Sequence, residues 1–176
     1  MLRHGWVLAI TILDYEHTLD YGCLEDLMSE ALSTTITWRG STADPAYGRV
    51  SELTKPGGRA AIPASSTAAF GGDPACWNPE DLFAGALANC YMLTFLALAA
   101  KTRLDVRGFS GTAEATMETV DRVSRVAAVT FRPTITVAPG TDHAKVAEMF
   151  HKAHKYCVIA NSFNGRIVAD PTVVEG

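Results

Sequence analysis

WNPEDLFAGALANCYMLTFLALAAKTR, residues Trp77 to Arg103, reads as one long helix, and the rest of the chain is interpreted around it. Asn78 is a capping residue, Pro79 suits the first helical position, and Glu80 and Asp81 set negative charge at the positive end of the helix dipole. Apolar residues then fall on nearly every side: Leu82, Phe83, Ala86, Leu87, Met92, Leu93, Phe95, Leu96 and Leu98. A helix of that kind is expected to be buried on all faces, in a large core or in a subunit interface. Gly85, Asn89 and Thr94 argue against a single-pass membrane anchor. Cys90 sits in the middle, where periodicity alone makes a thiol a small hydrophobe.

The chain has 176 residues, enough for one domain with a substantial core, or one domain with an appendage. A formal charge of −4 argues against nucleic acid or an anionic membrane as the main partner. Cys23, Cys76, Cys90 and Cys157 are far apart, without a CxxC pair, which excludes a zinc ribbon or a thioredoxin motif. MLRHGWVLAITIL has a basic tip but only a short apolar run, and DYEH stands next to it in place of a small-residue cleavage site. The expected compartment is the cytoplasm, where paired cysteines are more often catalytic than structural.

Residues 1–27 differ in character from the rest of the chain, with one strand signal at Trp6–Leu13 and then an acidic, mixed stretch. They read either as an extension preceding a natural start at Met28 or as an extra element packed on a domain spanning 28–176. Strand signals come next at Thr34–Arg39, Gly48–Leu53 and Arg59–Ala64, the last ending at Pro63. Ser65–Ala75 is a loop rich in glycine, serine and alanine. Beyond the long helix, Val106–Glu118 and Val126–Val137 predict an antiparallel hairpin turning through Thr119–Arg125. Asp142 caps a helix to about Tyr156, VIANSF gives a short second helix after Cys157, and Ile167–Val174 is a last strand. The order is βββ-α-ββ-α(α)-β, an α+β fold.

NPEDLFAGALANCY closely resembles the signature of the OsmC/Ohr family of thiol-dependent peroxidases, in which the reactive cysteine follows the glutamate of NPE by ten residues. Glu80 and Cys90 have that spacing, and AHKYCVIANS, Ala153 to Ser162, resembles the motif of the family's second cysteine. The resemblance covers roughly Thr34 to Val174 and implies a swapped homodimer with a long buried central helix. It also implies a two-cysteine peroxidase. Cys90 attacks a hydroperoxide, organic or hydrogen peroxide, and becomes a sulfenic acid. Cys157 resolves that acid to a disulfide, and an external dithiol or lipoyl-type reductant reopens it. No bound cofactor or metal is implied, and no nucleic acid or membrane partner.

Such chemistry needs a cation beside the thiolate, and in the family Glu80 is the carboxylate that orients it. Ten helical residues span about 15 Å. Glu80 therefore meets Cys90 only if the helix breaks, with Gly85 as the weak point, or if it serves the Cys90 of a second chain. The family's arginine comes from an early strand or from the loop before NPE, yet STAAFGGDPACW holds neither Arg nor Lys. Arg49 in YGRV ranks first as a replacement, with Arg39 and Arg59 as alternatives. His151, His154 and Cys157 share a helix face but lack an evident fourth metal ligand. Cys76 is either a spectator or an alternative resolving thiol. The competing function is a non-catalytic dimer that binds a small apolar ligand between its subunits.

Overall fold

The computed structural model describes residues 32–42 and 46–176. The Trp6–Leu13 strand, the segment 1–27 and the start at Met28 lie outside the described residues. Every element below belongs to the unit Thr35–Gly176.

Three short antiparallel strands come first: β1 (Thr35–Thr37), β2 (Ser51–Thr54) and β3 (Ile62–Ala64). β2 starts later than its sequence pattern suggests, and β3 runs through Pro63. A proline is tolerated there because a strand at the sheet edge needs no donor on its outer side. Ile36 on β1 is 67% exposed, so this small sheet leaves apolar side chains uncovered.

α1 (Pro79–Lys101) forms as its sequence dictates. Asn78 Oδ1 accepts from the Asp81 backbone N–H at 2.8 Å, and Asp81 Oδ2 accepts from that of Asn78 at 3.4 Å, closing a capping box. The helix is unbroken through Gly85, so a break there is excluded as a route from Glu80 to Cys90. Burial on all faces does not hold within one chain. Ala84, Leu87, Tyr91, Phe95 and Ala99 recur every three or four residues and form the one buried stripe. Gly85, Ala86, Asn89, Leu93 and Ala97 lie exposed, Leu93 at 55%. By length and composition α1 would suffice to cross a bilayer, but its buried stripe is part of the core.

β4 (Val106–Val120) and β5 (Val123–Val137) pair over their whole length, and the turn between them is only Asp121–Arg122. Both turn residues have positive φ, 52° and 66°, as a two-residue hairpin turn requires. Without glycine the turn leaves little trace in the sequence, which is why the pattern reads as a longer connection. α2 (His143–Tyr156) starts at Asp142, whose carboxylate accepts from the N–H groups of Ala144 and Lys145. The short α3 (Val158–Asn161) comes directly after Cys157. The final strand is in fact two, β6 (Arg166–Ala169) and β7 (Thr172–Glu175), both parallel to β5 in one continuous register. That register would set Pro171 beside Pro133, and two residues without N–H groups cannot sustain the ladder between them. Phe150 of α2 anchors the core, with ring centroids 4.7 Å from Tyr91, 5.8 Å from Phe95 and 6.2 Å from Phe131.

Candidate functional site

Cys90 and Cys157 come together although they stand 67 positions apart in sequence (157 − 90). α1 carries Cys90 on the flank of its buried stripe, half-buried, its carbonyl accepting from Thr94 Oγ1 at 2.8 Å. Cys157 occupies the joint between α2 and α3 and is wholly buried. Its Sγ accepts from the Ala160 N–H at 3.5 Å, which makes it the cap of α3. Burial above all pushes the Cys157 thiol up to about 11, the hydrogen bond from the Ala160 N–H opposing the rise and the neighbouring Cys90 side chain adding to it. Cys157 is therefore a protonated thiol at neutral pH. Tyr91 packs on the same side, its phenol pushed up to about 12 first by burial and then by the proximity of Cys157. The two sulfurs thus differ in access, one reachable and the other sealed. A reaction at the first followed by closure onto the second is chemically open to such a pair.

Glu80 lies in the first turn of the same unbroken helix, about 15 Å from its own Cys90 by the rise of ten helical residues. Its Oε2 is buried and has no hydrogen-bond partner among the described residues. A carboxylate oxygen in that state is costly unless a further group completes it. The chain itself does not bring Glu80 and Cys90 together.

Arg49 is exposed and stands two residues before β2. Its guanidinium carbon stacks 4.6 Å from the Tyr47 ring centroid, and its Nε lies 3.5 Å from where a Cβ on Gly71 would stand. Its carbonyl accepts from Ser65 Oγ at 3.3 Å, while Ser65 Oγ accepts from the Asp73 N–H at 3.0 Å. Arg49 is thus laid along the loop that leads into α1, with no carboxylate paired to it among the described residues. It also lines a cavity of about 340 Å³ together with Trp38, Thr42, Tyr47 and Ser66. Arg39 and Arg59 are both exposed. Cys76 is half-buried in the loop before α1, its N–H donating to the Asp73 carbonyl at 3.1 Å. Among the described residues no cluster of three His, Cys, Asp or Glu side chains could hold a metal.

Sequence reasoning misses Tyr47 and Tyr91 as contributors. Tyr47 has a legible signal, since residues two apart on an extended chain face the same side, which places it beside Arg49. Tyr91 has none, because adjacency to Cys90 in a helix says nothing about contact with Cys157.

The profile of the family described as OsmC-like protein matches residues 71–171, more than half of the chain. Among solved structures, an OsmC-like protein of unknown function from Vibrio cholerae is 28% identical with a TM-score of 0.73, covering 81% of this chain and 99% of that one. An organic hydroperoxide resistance protein OsmC from Legionella pneumophila is 22% identical with a TM-score of 0.61, covering 82% of this chain and 98% of that one. The organic hydroperoxide resistance protein OhrB of Bacillus subtilis is 18% identical with a TM-score of 0.54, covering 81% and 98%. No match was found among curated proteins. With the NPE motif opening α1 and the two thiols meeting beside it, the chain belongs to the family of OsmC-like proteins.

Proposed function

We propose that the protein is a two-cysteine thiol peroxidase that reduces organic hydroperoxides and works in the cytoplasm as a homodimer. The observation that carries this reading is the pairing of half-buried Cys90 with wholly buried Cys157. The Cys90 thiolate attacks the outer oxygen of ROOH, the O–O bond breaks, ROH leaves with a proton, and Cys90 holds a sulfenic acid. The Cys157 thiol then attacks that sulfur, its proton leaves with the hydroxyl as water, and a disulfide forms. A dithiol reductant, lipoyl-type or similar, supplies two electrons and two protons to restore both thiols.

Glu80 and Arg49 complete the site across the subunits in this proposal. The buried, unpartnered Glu80 oxygen and the Arg49 guanidinium without a carboxylate are opposite halves of one ion pair. The pair set beside a partner's Cys90 favours the thiolate there. Arg39 and Arg59 remain the alternative cations.

A second reading, a non-catalytic dimer holding a small apolar ligand, is favoured by the exposed apolar stripe of α1 and by the aromatic walls of the cavity beside Arg49. Thiol counting after one equivalent of cumene hydroperoxide separates the two. Wild-type protein loses two thiols per peroxide consumed. Cys90→Ser consumes none, and Cys157→Ser is oxidised once and yields a dimedone adduct on Cys90. An unchanged thiol count in wild-type protein would leave the ligand-binding reading standing.

A further inference from the structure

Cys157 is held by more than its own helix ends. α2 stops at Tyr156 because Cys157 turns to an extended ψ of 109°, and the last carbonyls of that helix lose their intrahelical partners. Asn161 answers them. Its Nδ2 donates to the carbonyls of Lys155 at 3.0 Å, Cys157 at 3.0 Å and His154 at 3.5 Å. Its backbone N–H also donates to the Cys157 carbonyl at 3.0 Å. The Cys157 N–H meanwhile donates to His154 at 3.3 Å, and the Sγ accepts from Ala160. Every polar atom of Cys157 is therefore tied, and one side chain, that of Asn161, spans the joint that aims its sulfur.

We infer that Asn161 is the positioning residue for the second thiol: it fixes the joint between α2 and α3 so that Cys157 Sγ stands ready for the sulfur of oxidised Cys90. The inference rests on the peroxidase reading above. Closing a disulfide requires two sulfurs in line and nearly in contact, and a misplacement of about 1 Å costs on the order of 10²-fold in rate. An amide suits the place because it supplies two N–H donors against three carbonyls that can only accept. The exposed position of Asn161 on α3 leaves the core undisturbed when its donor is removed.

The test is Asn161→Asp, which keeps the shape and replaces the donor with an acceptor. Reduced wild-type and variant proteins are mixed with one equivalent of cumene hydroperoxide in the presence of dimedone. Two rates are followed, peroxide consumption in the first turnover and the partition of Cys90 between disulfide and dimedone adduct. The expected result is an unchanged first rate with disulfide closure slowed about tenfold or more, so that adduct dominates in the variant. Asn161→Ala should behave alike, while loss of far-ultraviolet circular dichroism would identify a folding defect, to be replaced by Asn161→Gln as a longer donor that restores part of the closure rate. Equal partition in wild type and a folded Asn161→Asp overturns the inference. Failure of wild-type protein to form either product would instead overturn the peroxidase reading on which it rests.

Discussion

Glu80→Gln decides how the buried carboxylate is used, because the two alternatives predict opposite signs. Among the described residues Glu80 Oε2 is buried and has no hydrogen-bond partner. If that were its working state, glutamine would remove an uncompensated charge, and the protein would gain about 1–3 kcal/mol. If a cation of a second subunit completes it, glutamine loses a charge-assisted hydrogen bond worth about 1.5–3 kcal/mol. Glu80 is only half-buried as a residue, so the low end applies, about 1.5 kcal/mol per site. A symmetric dimer holds two such sites, and the loss is about 3 kcal/mol per dimer, or roughly 10²-fold in its dissociation constant. Sedimentation of a dilution series gives that constant, and melting temperature against protein concentration checks it, since a dimer melts higher when concentrated. The rate of Cys90 alkylation should fall in the same variant. A Glu80→Gln protein as tightly associated as wild type, or more stable, would refute the cross-subunit ion pair.

Three other outcomes come from the chain's own geometry. Arg122→Gly should raise stability by about 1 kcal/mol, because an L-residue at φ 66° pays a left-handed penalty that glycine avoids; the melting temperature should rise by about 2–4 °C. Cys157 is raised from an ordinary 9.0 to about 11, so its contribution to stability is complete below pH 9 and is lost as pH rises towards 11, where the unfolded chain ionises first. Urea melts should lose on the order of 2 kcal/mol across that window, and Cys157→Ala should flatten it, leaving the Tyr91 contribution to fade above pH 10. Leu93→Glu, on the exposed stripe of α1, should leave circular dichroism unchanged while shifting light scattering towards monomer; an unaltered dimer would remove that stripe from the interface.

The long helix is legible in the sequence because its signals are local. A cap, a proline, two acids and a long apolar run are all written within one stretch, and the structure reproduces them residue by residue. Its depth of burial is not legible, since an apolar residue reads alike whether a core or another chain covers it. Gly85 looks like a weak point, yet a helix with neighbours on one side tolerates a glycine whose absent side chain would meet nothing within 4 Å. The hairpin is plain in the pattern but its turn is not, because Asp121–Arg122 adopts a conformation that sequence normally announces with glycine. In the site, the meeting of Cys90 and Cys157 is implied only by the resemblance of two motifs to the family's, not by the pattern of the residues themselves. The clasp of Asn161 is invisible, because three acceptors gathered at a helix end are a product of the bend at Cys157 and not of any pattern.

Three features that look like separate defects in the single chain share one remedy. Among the described residues the outer stripe of α1 exposes Leu93, the β1–β3 sheet leaves Ile36 and Ile62 uncovered, and Glu80 holds a buried oxygen without a hydrogen-bond partner. Each alone has an ordinary explanation: an exposed leucine is common, a short sheet is often half bare, and water satisfies many carboxylates. What joins them is that one further chain can complete all three. Exposed Leu93 follows Cys90 by three residues, so a surface that covers this stripe approaches Cys90, whereas Glu80 precedes buried Ala84 by four and lies on the inner side of α1 in its first turn. A second copy of the chain would bring an apolar stripe to an apolar stripe and a cation to Glu80 at once, and it would do so twice by symmetry. A small apolar ligand covers the stripe but leaves Glu80 unpaired. The charge is therefore the feature that separates the two readings, and it is the reason the glutamine substitution weighs more than any change to the apolar surface.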